Sequence, residues 1–182
     1  MDTATQRKLD DFLRQQQGKA YKMTIALTQN RDDALEIVQE AMLQLVQKYA
    51  AKPAPEWPLL FYRILQNRIR DFHRRQKFRQ LFGLFKSADE DSAQDAIERA
   101  SDPHQPSPEQ HLQNAGFHQD ILQALKTLPL RQQQTFLLRA WQQFSTQETA
   151  YALGISPGSV KTHYSRALAS LRTQLGEHDE NA

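Results

Sequence analysis

The sequence predicts an all-α protein of two small helical domains joined by a flexible acidic linker, with a helix-turn-helix in the second domain. Three observations carry that expectation. Apolar residues recur at spacings of three and four on both sides of the chain's middle, the period of one helix face, and clusters of β-branched residues that would suit a sheet are few. Residues 87–113 hold seven carboxylates against one arginine, with Pro103, Pro106 and Pro108 forbidding sustained helix. Residues 145–175, STQETAYALGISPGSVKTHYSRALASLRTQL, set Gly154 between two short amphipathic runs. The boundaries that follow are a first domain over 1–80, a linker over 81–113, a second domain over 114–176 and a tail over 177–182.

Each element has its own local reason. Residues 4–28 read as one or two helices broken near Gly18, with Leu9, Phe12, Leu13, Tyr21, Ile25 and Ala26 inward. Asn30 is placed to cap a long helix over 31–49, with Asp33 three residues on in the pattern of a capping box. Ala34, Val38, Ala41, Leu45 and Tyr49 form its apolar stripe, widened by Ile37, Met42 and Val46. Asp32, Asp33, Glu36 and Glu40 crowd its first half, where the helix dipole favours anions. On sequence alone those residues suit a solvated face somewhat better than a docking surface. Residues 50–58, AAKPAPEWP, carry three prolines and are expected as a loop with Trp57 at its end. A further helix over 59–80 turns Leu60, Ile64, Leu65, Ile69 and Phe72 inward. Between Arg63 and Lys86 eight basic residues stand against one acid, Asp71, interleaved with Phe61, Tyr62, Phe72 and Phe78. That combination suits phosphate contact with base stacking; a membrane surface would attract it too.

Beyond the linker, Ile121, Leu122, Leu125 and Leu128 make one stripe, Pro129 stops it, and Phe136, Leu137, Ala140 and Trp141 line the next helix. In the helix-turn-helix, Gly154 can take the positive φ of a tight inter-helix turn, Ser156 is an N-cap, and Pro157 loses nothing at the first helical position. Ala150 leaves room for the second helix, and Leu153 and Val160 fill the angle between the two. No acid occurs in 149–176, while Lys161, His163, Arg166 and Arg172 lie on or beyond the polar face of the second helix. A second helix of this kind enters a DNA major groove; the plain alternative is a helical hairpin with a solvated basic face. The tail is acidic and expected to fray.

Composition excludes several classes. Cysteine is absent, so neither a disulfide framework nor a thiolate metal site is available. His104, His111 and His118 are spaced by seven but lack carboxylate or thiolate companions, so no metal and no cofactor is expected. The first residues lack a signal-peptide core, and no run reaches the roughly 18 apolar residues of a membrane span, so a cytoplasmic protein is expected. There is no phosphate-loop pattern and no nucleophile–base motif, and Asp71 is the only carboxylate between Glu56 and Asp89. A nucleic-acid-modifying enzyme is therefore disfavoured, and so is a small-molecule substrate. A stand-alone regulator would explain the helix-turn-helix but not the basic-aromatic helix.

Four motifs in order, DDALEIVQEAM at 32–42, FYRILQNRIRDFHRR at 61–75, LPLRQQQTFLLR at 128–139 and QETAYALGISPGSVKTHYSRAL at 147–168, resemble the extracytoplasmic-function sigma factors of bacterial RNA polymerase. The resemblance spans nearly the whole chain. It implies that Asp33, Glu36, Gln39 and Glu40 dock on the polymerase clamp. The loop at 50–58 with Trp57 and Asn67 would hold a base flipped from the −10 element, with Arg63, Arg70, Arg74 and Arg75 along the DNA backbone. The linker would follow the RNA exit path, and the second domain would bind the polymerase flap. Ser159, Lys161, Thr162, His163 and Arg166 would meet the −35 major groove. An anti-sigma factor, able to hold the protein at the inner membrane, is a further implied partner. The chain departs from the family pattern at Leu60, where the family usually has Trp; at Thr149, a usual Ile; and at His163, a common Arg. A histidine of ordinary pKa there would charge between about pH 7.5 and 6 and grip DNA more tightly at the acid end.

Overall fold

A computed structural model describes residues 3–83 and 120–179, with side chains through residue 176. The described elements are all helical, and the chain divides into two compact units, Met1–Ala100 and Ser101–Ala182. The expected linker beyond residue 83 and the histidines at 104, 111 and 118 lie outside the described residues.

The first unit is built from α1 (Thr3–Thr28), α2 (Arg31–Tyr49) and α3 (Trp57–Leu81), which pack on one another pairwise. The expected break near Gly18 does not occur: α1 runs through it. Gly18 is exposed, and a mid-helix glycine costs only about 1 kcal/mol relative to alanine. Burial of Leu9 on one side and of Met23, Ile25 and Leu27 on the other outweighs that cost. The chain leaves α1 through Gln29, whose φ is 56°. Asn30 then caps α2 as read, its side-chain oxygen accepting from the Asp33 N–H at 3.0 Å. Helix α2 buries Ala34, Ile37, Val38, Ala41 and Leu45. Its apolar face is narrower than expected, because Val46 is exposed along with Leu35 and Leu43.

The loop is shorter than predicted. Ala54–Glu56 forms a 3-10 turn, and α3 starts at Trp57, two residues before the expected boundary, with Pro58 tolerated in its first turn. This corrects the placing of Trp57 among base-contacting residues. Its side chain is only 2% exposed. The ring lies 6.1 Å from that of Phe12 at 48°, and the indole N–H donates to the Tyr49 carbonyl at 3.3 Å. The prolines fold the turn so that the indole closes the space between α1 and the end of α2. Phe61 meets the other side of Phe12 edge-on, and the Tyr62 hydroxyl donates to Gln16 at 3.2 Å. Phe61, Tyr62 and Phe72 are therefore core residues and not a stacking surface; of the four aromatics so read, only Phe78 is exposed.

The second unit comprises a helix over 120–126 (α4), α5 (Leu130–Ala140), α6 (Thr146–Leu153) and α7 (Pro157–Asp179). Leu122, Leu125, Leu128, Leu137, Leu138, Leu153, Val160, Ala167 and Leu171 form its core. Ala140, expected inward, is exposed, and Leu138 takes the buried place instead. Pro129 caps α5 as well as ending the segment before it. Helix α7 continues past residue 176 to Asp179, into the stretch expected as a frayed tail.

Candidate nucleic-acid interface

The helix-turn-helix is α6, Gly154 and α7, and each junction is fixed by named bonds. Ser145 and Glu148 form a reciprocal capping box at the start of α6, with N–H bonds of 3.1 and 2.7 Å. The two bonds with Ser145 hold the Glu148 carboxyl below its ordinary pKa, so it caps as the anion. Gly154 sits at φ 64° and ψ 41°, the left-handed conformation that turns the chain. The N–H groups of Gly154 and Ile155 return to the carbonyls of Tyr151 (3.3 Å) and Ala150 (3.1 Å). Ser156 then caps α7, its Oγ accepting from the Ser159 N–H at 3.1 Å. Ala150, Leu153 and Val160 are buried in the angle between the helices, as read from the sequence. Arg131 of α5 braces the turn from behind by donating to the Leu153 carbonyl at 3.2 Å.

On α7, Ser159, Thr162 and Arg166 lie along one strip at helical spacing. The Thr162 hydroxyl donates to the Gly158 carbonyl at 3.1 Å, and the Ser159 and Ser156 hydroxyls are 2.9 Å apart. His163 flanks the strip on its inner side. Its Nδ1 is buried without a hydrogen-bond partner. Burial pushes its pKa below 6.5, and the nearby Arg131 and Arg166 guanidinium groups push the same way. At neutral pH it is therefore a neutral ring, which moves the expected charging window to more acidic pH. Lys161 does not join this strip. It faces a groove with Arg139, Tyr164 and Arg172. There the Arg139 guanidinium lies 5.4 Å over the Tyr164 ring and donates to the Phe144 carbonyl, while Tyr164 stacks on Phe136. Sequence reading missed Arg131 and Arg139, whose partners, the Leu153 and Phe144 carbonyls, are set by the fold and not by a local pattern.

The first unit divides its expected site residues between two faces of α3. Arg63, Asn67, Arg70 and Arg74 form an outward strip at spacings of four, three and four. Arg70 donates to the Asn67 side-chain oxygen at 3.0 Å, and Arg74 pairs with Asp71 at 3.3 Å. Arg75 stands on the other face. With Phe72, Gln76 and Arg79 it lines one wall of a groove whose opposite wall is Asp33, Glu36, Ile37 and Glu40 of α2. Arg68 crosses between the helices, meeting Glu40 at 3.2 Å and Gln44 at 3.0 Å. Gln39 lies outside this groove, on the face that carries exposed Leu35 and Leu43. His73, missed in the sequence reading, donates from Nε2 to the Leu27 carbonyl at 2.8 Å and ties α3 to the end of α1.

Residues 118–171 match the family model "Sigma-70, region 4". The RNA polymerase sigma factor SigV of Bacillus subtilis is 30% identical over 163 residues, covering 87% of this chain and 86% of that protein. The ECF RNA polymerase sigma factor SigE of Mycolicibacterium smegmatis is 26% identical over 180 residues, covering 97% of this chain and 65% of that protein. Matches to Streptomyces sigma-E factors reach 45% identity but span only 40% of those proteins' length. The fold is similar to that of the sigma factor RpoE of Bartonella quintana, solved in complex with the anti-sigma factor NepR. That likeness has a TM-score of 0.61 and 23% identity, and covers 91% of this chain and 97% of that one. The likeness to SigV along nearly the full length of both chains, with a region 4 module on the helix-turn-helix unit, means that this chain belongs to the extracytoplasmic-function sigma factors of bacterial RNA polymerase.

Proposed function

We propose that this protein is a promoter-specificity subunit: it binds core RNA polymerase, recognises −35 and −10 elements and promotes melting of the DNA between them and the start site. It adds no catalytic chemistry of its own. The observation that carries this reading is the pairing of a region 4 helix-turn-helix, whose outward strip is free of acids, with a separate unit that presents an arginine–asparagine strip beside an acidic helix. In this reading 1–80 serves core binding and the −10 element, 81–113 connects, and 114–176 serves the flap and the −35 element. Asp33, Glu36, Gln39 and Glu40 meet the polymerase clamp, Asn67 takes an unpaired base, and Arg63, Arg70, Arg74 and Arg75 hold phosphates. Ser159, Thr162, His163 and Arg166 face the −35 groove, and Lys161 reaches a flanking phosphate. An anti-sigma factor of the kind solved with the Bartonella protein is a partner in the same reading, and the protein acts where the polymerase does, in the cytoplasm or held at the inner membrane. No described helix is itself long and apolar enough to cross a membrane.

The formal net charge of +2 at pH 7 leaves the free chain weakly attractive to DNA. Specific promoter binding should therefore require core polymerase. A gel shift with and without core enzyme, followed by run-off transcription, tests this. Tight, sequence-specific binding by the chain alone would instead mark a stand-alone regulator.

A further inference from the structure

Phe78, the one exposed residue among the aromatics of α3 read as suited to base stacking, belongs to an exposed apolar cluster at the helix end that also includes Leu81 and Phe82. Phe78 is 59% exposed, Leu81 83% and Phe82 63%, and the two phenyl rings lie 4.4 Å apart at 38°. Burial along α3 ends at Phe72, so these residues are not a continuation of the core. A cluster of this kind on a soluble surface marks a contact site. Its setting narrows the contact. Arg74, Arg75, Lys77 and Arg79 are all exposed within the same two turns. Phe78 also falls four residues after Arg74, extending the strip of Arg63, Asn67, Arg70 and Arg74 by one step. An apolar protein surface would match the rings but would gain nothing from the flanking cations. Intact duplex would match the cations, but its base faces are hidden in the stack. A strand with an unpaired base offers both a phosphate track and a bare π-face.

We propose that Phe78 and Phe82 form a stacking platform for an unpaired base of promoter DNA, extending the −10 surface toward the end of α3. This rests on the reading of α3 as the −10 surface. The tilted pair leaves outer ring faces open to solvent that accept any base, so the platform would add grip on melted DNA without adding sequence preference. Arg74, on the same strip, and Lys77 beside it would hold the phosphates on either side of the captured nucleotide.

The test uses holoenzyme and fork-junction promoter DNA carrying 2-aminopurine at successive unpaired positions. Phe78→Ala and Phe82→Ala should each weaken fork binding by about 5- to 100-fold and restore emission at one probe position. Phe78→Trp should keep both affinity and quenching, whereas Phe78→Leu, which keeps the apolar character but no π-face, should behave like alanine. Full activity of Phe78→Leu alongside a defective Phe78→Ala would overturn the platform and make the cluster an apolar protein contact. Arg74→Ala, run in parallel, separates the two levels of inference. If it weakens binding while the phenylalanine variants bind as wild type, the platform fails and the phosphate strip stands. If Arg74→Ala and the phenylalanine variants all bind as wild type, the −10 reading of α3 fails with the platform.

Discussion

Trp57→Ala separates a structural tryptophan from a base-binding one, and the structure gives the size of the effect. The indole is 2% exposed, lies against Phe12 at 6.1 Å and donates to the Tyr49 carbonyl, which also accepts from the Lys52 N–H. Truncating a buried aromatic to alanine costs about 3–5 kcal/mol, part of it for the cavity left behind. Loss of the indole N–H bond adds up to about 1 kcal/mol, the Tyr49 carbonyl keeping its bond from the Lys52 N–H at 3.0 Å. Folding stabilities run to only about 5–15 kcal/mol, so a small three-helix unit would lose most of its margin. At about 4–8 °C per kcal/mol, its melting temperature should fall by roughly 12–48 °C. Trp57→Phe keeps the contact with Phe12 and loses the N–H and some volume, so it should cost about 1–2 kcal/mol. Circular dichroism melts of the full chain measure both, and promoter opening at a temperature below the mutant's melt measures function. A Trp57→Ala protein that melts like wild type yet opens promoters poorly would refute this reasoning and return the side chain to the DNA.

Backbone sign is tested by a pair of changes. Gly154→Ala meets open space at its Cβ, so only the left-handed conformation is penalised, by about 1–2 kcal/mol. Gln143→Gly, at φ 56°, should gain a similar amount, and denaturant titration of both reads the two signs. Thr149 is fully buried with a hydroxyl that finds no partner, so Thr149→Val should stabilise by about 1–2 kcal/mol in the same titration. The pKa of His73 is lowered, mainly by burial, against a smaller upward pull from its bond to the Leu27 carbonyl and with a further push down from Lys77. Below its ordinary 6.5 the unfolded chain therefore binds more protons than the folded one, and stability falls as pH drops through that value. His73→Gln should flatten part of the decline in a pH series of melts. His163 is lowered as well, so −35 affinity should stay level from about pH 7.5 to 6.5 and rise only below, while His163→Arg should raise it throughout.

Most of the fold was legible because its signals are local. The Asn30 cap, the Gly154 turn and the Ser156–Pro157 helix start each depend on residues within one turn, and all three stand where the sequence placed them. What was not legible depends on partners distant in sequence. Trp57 reads as a loop residue until Phe12, 45 positions earlier, supplies the surface it packs on. Periodicity allowed Phe61 and Tyr62 to be either core or surface, and only the course of α1 decides it. The candidate site behaves likewise. The arginines were evident from composition, but Arg74 and Arg75, adjacent in sequence, point to different faces by the 100° step of a helix. Lys161 is separated from Thr162 for the same reason. The lowered pKa of His163 comes first from its burial, then from Arg131 of α5 and Arg166, and neither the burial nor Arg131 can be read from α7 alone.

The groove between α2 and α3 gives the first unit a form of cooperativity. Asp33, Glu36 and Glu40 on one wall face Arg75 and Arg79 on the other, with Arg68 bridging to Glu40 across the helices. A cationic surface that settles on the α2 carboxylates draws on the same negative potential and leaves the arginines more positive. On the function proposed above, phosphates would then bind those arginines more tightly than on the free chain. Linkage would make the effect mutual: bound DNA would strengthen the hold of the α2 partner by the same factor. A chain wired in this way would favour its doubly loaded state over either singly loaded one, and losing either ligand would loosen the other.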